Sequence, residues 1–272
     1  MQHYKQIKIA ELTPERRDLL IALLSCTGFD GFEESENELK AFGNASSVDM
    51  KRLQQLAGLH EFSYTEEDIQ ETNWNAVWES NFDAVTVGDF AGIRAHFHQP
   101  FKNVQHEILI TPKMSFGTGH HATTFMMIEQ MSKLDFAGKH IFDFGTGTGV
   151  LAILAEKLGA ASVTAIDNDE WSIENAKENA DKNHCTQITV KRADTAAVNQ
   201  QFDIILANIN KNVLLENMQV LASQLKYGGT LLMSGLLLED EQDIVAEALK
   251  YQLQKISGSN KLQWIALVFA QI

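Results

Sequence analysis

The sequence predicts an α/β protein in which a mostly parallel sheet with crossover helices follows a small α+β unit. Strand-like and helix-like segments alternate regularly from residue 139 onward, which is typical of a parallel sheet. The first 65 residues read instead as βαββαβ. The last two strands are separated by a turn so short that they must form an antiparallel hairpin. The chain has 272 residues, 44% of them hydrophobic, enough for two domains with buried cores.

Residues 1–65 are predicted to form a small ferredoxin-like domain. Tyr4–Ile9 alternates polar and apolar side chains as a strand does. Thr13 and Pro14 supply an N-cap and a first helical residue for a helix that ends near Gly28. The remaining predicted elements are strands at 29–33, 39–42 and 60–65, and a helix that is capped by Ser46 or Ser47 and continues through Ala57.

Residues 66–84 are predicted to be a linker that contains a helix. Glu66–Glu71 is acidic and weakly apolar. The segment Trp74–Phe82 then places aromatic and apolar side chains at helical spacing. Aromatic side chains in such a pattern serve packing more often than ligand binding, so we expect them to attach the helix to one domain.

Residues 85–272 are predicted to form the larger domain. Strand-like alternation runs from Phe82 to Pro100, with turns at Gly88-Asp89 and at Gly92. The expected parallel strands are 139–144, 162–167, 188–192, 202–208 and 230–234, and the expected helices are 150–158, 170–182, 212–225 and 239–250. Residues 251–256 and 262–270 are expected to pair around a turn at Gly258-Ser259-Asn260.

Composition narrows the classes of partner and compartment. The formal net charge of −14 disfavours a large nucleic-acid-binding surface and favours a basic partner, although moderate acidity also serves solubility alone. Neither a signal peptide nor an apolar run of membrane-spanning length is evident. Cys26 and Cys185 are too few for a disulfide framework or a thiolate metal site, so we expect buried free thiols. We expect a monomeric, cytoplasmic protein that binds neither DNA nor membranes.

A glycine-rich turn at the end of a predicted strand carries the first functional signal. In Asp143-Phe-Gly-Thr-Gly-Thr-Gly149 the glycines allow a sharp turn and close approach to a ligand. The spacing G-x-G-x-G differs from the dinucleotide fingerprint G-x-G-x-x-G, because Val150 follows Gly149. The turn also lacks the Lys-Ser/Thr ending of a nucleotide P-loop. A tight turn without any ligand could use the same residues.

Acidic residues after the next two strands strengthen that signal. Asp167 ends the next strand, at the position where a carboxylate can accept hydrogen bonds from a ribose diol. Asp169 is expected to cap the following helix. Asp194, after the third strand, either receives an adenine amino group or is a solvated loop residue. The adjacent His120 and His121 cannot easily share one metal ion, so we expect them to shape a loop and expect no metal site.

With these motifs the sequence resembles the class I S-adenosylmethionine-dependent methyltransferases, whose catalytic domain is Rossmann-like. Met114–Thr124 is similar to the F-G-T-G-x-H-x-T-T segment of the PrmA family, the methyltransferases of ribosomal protein L11 of the large subunit. Leu206–Ile209 resembles its A-N-I segment, and Trp74–Phe82 its tryptophan-containing linker helix. The resemblance implies that Thr124, Gly145, Asp167 and Asn208 contact S-adenosylmethionine and that Phe116 and Thr123 lie in the same pocket wall. With Gly147 of the glycine turn and Asp194, these residues make up the expected cofactor site.

The same resemblance implies the reaction: methyl transfer to lysine side chains or the N-terminal amine of L11, which the first domain would recognise. Such an amine must lose a proton, which costs roughly 4–5 kcal/mol for a lysine of pKa about 10.4 at neutral pH. We expect Asn208 to be the catalytic residue that holds the amine, without an essential general base. The alternatives are a methyltransferase of another protein or of a small molecule, and a non-catalytic protein that binds the cofactor. Two departures from the family pattern, Gly145-Thr-Gly-Thr-Gly for G-C-G-S-G and Asn210-Lys211 for small apolar residues, fall on the rim of the site.

Overall fold

The computed structural model describes residues 3–10, 14–29, 31–35, 38–70, 83–111, 117 and 119–272. The chain divides into two compact units, Met1–Asn81 and Phe82–Ile272, each of which is considered by itself. The linker helix predicted over Trp74–Phe82 lies outside the described residues. In the part of the chain that is described, no helix combines the length and apolar character needed to cross a membrane.

The N-terminal unit is a four-stranded antiparallel sheet with two helices. Its elements are β1 (His3–Ala10), α1 (Pro14–Ser25), β2 (Gly31–Ser35), β3 (Glu38–Asn44), α2 (Met50–Leu59) and β4 (Thr65–Gln70). The strand order is β2-β3-β1-β4. One buried cluster joins alternate residues of β1 and β3 to apolar side chains of both helices, among them Ile7, Leu39, Leu24 and Leu53. The helices therefore cover one face of the sheet.

Two elements of this unit differ from their predictions. The last strand lies at Thr65–Gln70 and not at 60–65, because Phe62 and Tyr64 pack against the core from a loop. The strand itself is at the sheet edge and is acidic, so it shows no apolar alternation that a sequence pattern could reveal. The cap of α2 is Asp49, whose carboxylate accepts from the backbone N–H of Arg52 at 3.0 Å.

The larger unit begins with a small three-stranded sheet. Its strands are β5 (Val85–Val87), β6 (Ala91–Ala95) and β7 (His106–Ile110), in that order. β5 pairs antiparallel and β7 parallel with β6. Gly92 lies inside β6 and not in a turn: a Cβ there would lie 2.5 Å from the ring of Phe101. The glycine thus serves close packing of an aromatic ring against the strand.

The main sheet has seven strands in the order β10-β9-β8-β11-β12-β14-β13. They are β8 (His140–Phe144), β9 (Ser162–Asp167), β10 (Ile188–Arg192), β11 (Phe202–Asn208), β12 (Leu225–Leu237), β13 (Leu253–Lys261) and β14 (Trp264–Gln271). The helices are α3 (Ala122–Met131), α4 (Val150–Lys157), α5 (Glu170–Lys182), α6 (Lys211–Ser223) and α7 (Glu241–Leu249). β8 to β12 pair in parallel, and β14 is antiparallel to β12 and β13. The predicted mostly parallel sheet with a C-terminal hairpin is confirmed.

The hairpin turns later than predicted. Gly258 lies within β13, just past an irregularity in the pairing between Lys255 and Ser257. The chain reverses at Leu262, which has a positive φ of 58°. A left-handed non-glycine residue gives no glycine signal in the sequence, and the Gly-Ser-Asn stretch marks an irregular strand instead.

Both faces of the main sheet are buried. Ile141 and Phe142, neighbours in β8, belong to two different apolar clusters, as the alternation of a strand requires. The first cluster includes side chains of α3 and α4, and the second those of α6 and α7. Burial on both faces is what parallel sheets show. The cysteines are free, but the expectation that both are buried is wrong: Cys26 is exposed and Cys185 is half-buried.

Candidate functional site

The main sheet reverses its strand order at β8. β9 and β10 lie on one side of β8, and β11 and β12 lie on the other. In open α/β sheets such a switch point forms a crevice outside the carboxyl ends of the strands, where ligands bind. A cavity of about 360 Å³ is found there, within the size range of small-molecule sites. It is lined by His121, Thr123, Gly145, Gly147, Asp167, Ser172, Asn208, Ile209, Asn210, Gly235 and Trp264.

The glycine turn joins the carboxyl end of β8 to α4 and presents backbone to the cavity. Gly145, Gly147 and Gly149 all have positive φ, at 75°, 54° and 80°. A Cβ on Gly145 would lie 3.0 Å from the side chain of Ile209, another residue of the cavity wall. Since L-residues with side chains rarely adopt these angles, the turn requires glycine. It leaves a ligand direct access to the main chain.

Asp167 stands beside the glycine turn at the end of β9. One carboxylate oxygen accepts from the backbone N–H of Gly147 at 2.9 Å, and the other accepts from that of Asp169 at 3.1 Å. An ionised carboxylate offers about four acceptor positions, so about two remain for a ligand. Asp169 in turn accepts from the N–H of Ser172 at 2.9 Å and caps α5, which confirms that prediction.

Asn208, at the end of β11, is joined to the first turn of α3. Its amide nitrogen donates to Oγ1 of Thr124 at 3.3 Å, and Thr124 is completely buried. Its Oδ1 is buried and has no hydrogen-bond partner among the residues described. A buried acceptor left unpaired costs about 1–3 kcal/mol, which a donor from a ligand would offset.

His121 shapes the wall next to Thr123. It is the N-cap of α3, and its Nδ1 accepts from the backbone N–H of Thr123 at 3.3 Å and lies 2.7 Å from Oγ1 of the same residue. Its ring packs edge-on against Trp264, with centroids 4.6 Å apart. These contacts agree with the loop-shaping role expected of the histidine. Within the described ranges no group of three or more His, Cys, Asp or Glu side chains could hold a metal ion.

Asp143, just before the glycine turn, is the most perturbed acid of the site. It is 1% exposed, and Thr146 Oγ1 donates to its carboxylate at 2.6 Å. Burial raises the pKa of Asp143 to about 7, the Thr146 hydrogen bond opposes the rise, and the neighbouring charge of Asp167 adds to it. At neutral pH this carboxyl therefore lies near the midpoint of its titration.

The structure brings most of the predicted site residues together. The cavity is lined by five of them: Thr123, Gly145, Gly147, Asp167 and Asn208. Thr124 is not among the lining residues but accepts a hydrogen bond from Asn208. Phe116 lies outside the described residues. Asp194 is exposed in the loop after β10 and is not among the described residues that line the cavity, so its adenine contact stays a prediction.

Three wall residues, Ser172, Gly235 and Trp264, were not predicted. Gly235 has a φ of 86°, and a Cβ there would lie 2.4 Å from the carbonyl oxygen of Ile209. The usable signal was a glycine near the carboxyl end of β12, the strand that pairs with β11 beside Asn208. Trp264 reaches the cavity only because β14 folds back antiparallel on β12, where it pairs with Leu237.

Comparisons of the sequence and of the structure with known proteins point to the same family. The family model described as ribosomal protein L11 methyltransferase (PrmA) matches residues 27–271. A ribosomal protein L11 methyltransferase of Porphyromonas gingivalis is 42% identical over 271 residues, covering 95% of this chain and 92% of its own. Its counterpart in Bacteroides fragilis is 38% identical over 260 residues, covering 93% of each chain. A crystal structure of a ribosomal protein L11 methylase from Lactobacillus delbrueckii subsp. bulgaricus superposes with a TM-score of 0.65 at 29% identity, covering 69% of this chain and 98% of that one.

Proposed function

The chain belongs to the ribosomal protein L11 methyltransferase (PrmA) family, and from that premise we propose that it transfers methyl groups from S-adenosylmethionine to amino groups of ribosomal protein L11. The amino groups are lysine side chains, the N-terminal amine, or both. The observation that carries the proposal is the convergence of the glycine turn, Asp167 and Asn208 on one cavity at the switch point of the sheet.

The donors and acceptors of the cavity fit the proposed cofactor. Asp167, held by two backbone N–H groups, has acceptor positions left for a ribose diol. Gly145 and Gly147 leave room for the ligand to approach the main chain. When bound, S-adenosylmethionine supplies a methyl group already activated by a sulfonium charge. The work left to the protein is alignment of the nucleophile and exclusion of water.

Asn208 is suited to hold the amine. Its Nδ2 is engaged by Thr124, so the side-chain amide is fixed in orientation with Oδ1 as the acceptor. That oxygen, which lacks a partner in the described structure, would accept an N–H of the amine. An N–H held in this way leaves the nitrogen lone pair available for in-line attack. Asn208 is therefore the proposed catalytic residue.

The amine must reach the cavity neutral, and desolvation supports this. The free-energy cost of deprotonating a lysine falls as its charged form is taken out of water and placed near another positive charge. Asp143 is not suited to be a general base, because its carboxylate accepts from Thr146 and is almost completely buried. We propose that the proton is lost to solvent as the amine enters the cavity, where the charged form is disfavoured.

The N-terminal unit is proposed to be a ferredoxin-like domain that recognises L11. Its antiparallel order β2-β3-β1-β4, with two helices in one core, supports the topology. The net charge of −14 is complementary to a basic ribosomal protein and would speed encounter. Protection of residues 38–70 from hydrogen exchange when L11 is added would test the role; protection confined to residues 119–272 would contradict it. Because L11 is a ribosomal protein, we also propose that this enzyme is located in the cytoplasm.

The proposed reaction is tested by intact-mass analysis of L11 after incubation with the protein and S-adenosylmethionine. The wild-type chain should add mass in steps of one methyl group, and Asn208→Ala should slow this at least tenfold. Tyr227→Ala, a change at a side chain that is 90% exposed, serves as the matched surface control and should retain the wild-type rate.

The outcomes separate the parts of the proposal. Cofactor binding by calorimetry without any gain in the mass of L11, free or in ribosomal particles, would contradict the substrate and favour another protein or a small molecule. Absence of cofactor binding would contradict the cofactor itself.

A further inference from the structure

Three asparagines follow one another at four-residue spacing along one side of α5 and its end. Asn175 and Asn179 lie within the helix and are completely buried, and Asn183 is its C-cap. Residues four apart on a helix share a face. Buried amides are expected to be hydrogen-bonded, so their partners indicate what this face holds in place.

All three asparagines bond to the backbone of β7 and the residue that follows it. Asn183 accepts from the N–H of Leu109 at 3.0 Å and donates to its carbonyl oxygen at 2.6 Å. Asn179 accepts from the N–H of Thr111 at 2.7 Å, and Asn175 donates to the carbonyl oxygen of Thr111 at 3.1 Å. β7 is at the edge of its sheet, so the side chains of α5 supply partners that a neighbouring strand would otherwise provide.

Asn179 differs from the other two because its amide also reaches the glycine turn. Its Nδ2 donates to the carbonyl oxygen of Thr148 at 2.8 Å. Thr148, between Gly147 and Gly149, is itself completely buried, and its hydroxyl donates to the carbonyl oxygen of Gly117 at 2.7 Å. One side chain thus bonds at the same time to the end of β7 and to the turn, and the turn bonds to Gly117.

We propose that Asn179 is a positioning residue for the cofactor site, which holds the glycine turn in fixed position relative to Thr111. The inference rests on the proposed function, because the ligand it concerns is S-adenosylmethionine. Thr148 directly follows Gly147, a residue of the cavity wall whose backbone N–H donates to Asp167. Loss of the Asn179 bond releases the middle of the turn and, through Gly147, the acceptor proposed for the ribose.

An amide meets both requirements of this position at every pH. Toward Thr111 the side chain must accept, and toward Thr148 it must donate. An ionised aspartate of the same shape accepts at both ends, so its oxygen would face the carbonyl oxygen of Thr148; because a protonated aspartate would donate there, the variant is measured above the pKa of the new carboxyl. Asn179→Asp therefore keeps the bond to β7 and removes the one to the turn, which separates the two roles within one side chain.

The test measures S-adenosylmethionine binding by titration calorimetry and thermal unfolding of the same samples. Asn179→Asp and Asn179→Ala should each raise Kd at least tenfold. Asn183→Ala is the matched control: it loses both bonds to Leu109 and the bond that its amide donates to the main-chain carbonyl of Asn179, but it leaves the Asn179 side chain and its bond to Thr148 in place. It should lower Tm by as much as the Asn179 variants while changing Kd less than twofold.

Equal effects of Asn179 and Asn183 variants on Kd, after matching for Tm, would overturn the inference, as would unchanged binding by Asn179→Asp. If both Asn179 variants fail to fold, Asn179→Ser is compared with Asn183→Ser, since serine keeps a hydroxyl that can donate or accept at each position. Weaker S-adenosylmethionine binding by the Asn179 variant than by the Asn183 variant supports the inference, and equal binding overturns it. If the wild-type chain binds no cofactor, the proposed function itself fails.

Discussion

Replacement of Asp143 by asparagine should change how the free energy of unfolding depends on pH. The substitution keeps the shape of a side chain that is 1% exposed, and it keeps an acceptor for the Thr146 hydroxyl. It removes the ionisable group whose pKa burial raises to about 7, with a further contribution from the charge of Asp167. Any pH dependence that this carboxyl causes must disappear in the variant.

The direction follows from proton linkage. In the unfolded chain Asp143 has its ordinary pKa of 3.8, whereas the folded chain keeps the proton up to a pKa of about 7. Between these values the folded state binds more protons than the unfolded state, so stability falls as pH rises and levels off above the folded pKa. The whole difference, at 1.36 kcal/mol per pKa unit, amounts to about 4 kcal/mol, of which about 3 kcal/mol is lost above pH 5.

Urea denaturation of both proteins from about pH 5 to about pH 8 measures this. The free energy of unfolding of the Asp143→Asn variant, minus that of the wild type, should rise by about 2–3 kcal/mol across the range. Burial lowers the pKa of His106, but this residue is present in both proteins, so its contribution cancels in the difference. Parallel pH profiles for the two proteins would refute the reasoning, because they would mean that Asp143 ionises at its ordinary pKa.

Three further substitutions test the site and the core. Asp167→Ala should weaken S-adenosylmethionine binding at least tenfold in calorimetry, since the two charge-assisted hydrogen bonds proposed between its carboxylate and the ribose diol are lost. Unchanged affinity would contradict the proposed ribose contact. Asn208→Ala should lower kcat by a larger factor than it raises the cofactor Kd, and an unchanged kcat would contradict the proposed amine contact. Gly235→Ala, strained at φ 86°, should lower Tm and destabilise by about 1–3 kcal/mol, whereas an unchanged Tm would contradict the close approach of Ile209.

Four of the five parallel strands were predicted within one residue, whereas β12 (Leu225–Leu237) extends beyond the predicted 230–234 at both ends. A strand such as Phe202–Asn208, buried on both faces of the sheet, contains the continuous apolar run 204–207 with a polar residue at its end. The carboxyl ends of these strands also supply Gly145, Asp167 and Asn208, so the residues at this edge of the sheet could be predicted from the sequence. The helix α3 (Ala122–Met131) was not predicted: its apolar residues surround it on most sides, which hides the periodicity of a helix face.

The errors arise where distant parts of the chain decide the structure. β4 was misplaced because an edge strand needs no apolar alternation, and the hairpin turn was misplaced because Leu262 adopts a left-handed conformation. Trp264 entered the cavity through the pairing of β14 with β12, which no local pattern encodes. The hydrogen bonds of Asn179 likewise depend on β7, an element that the sequence pattern did not reveal.

The Oδ1 of Asn208, which has no hydrogen-bond partner among the residues described, would also distinguish how far an amine has been methylated. A neutral primary amine brings two N–H groups to that oxygen, a monomethyl amine brings one, and a dimethyl amine brings none. With the proposed contact, each transfer would remove one of the N–H groups by which the next amine is held, and a third transfer would depend on alignment by shape alone. Binding of the substrate amine would therefore weaken with each methyl group added, which would favour release of the fully methylated amine.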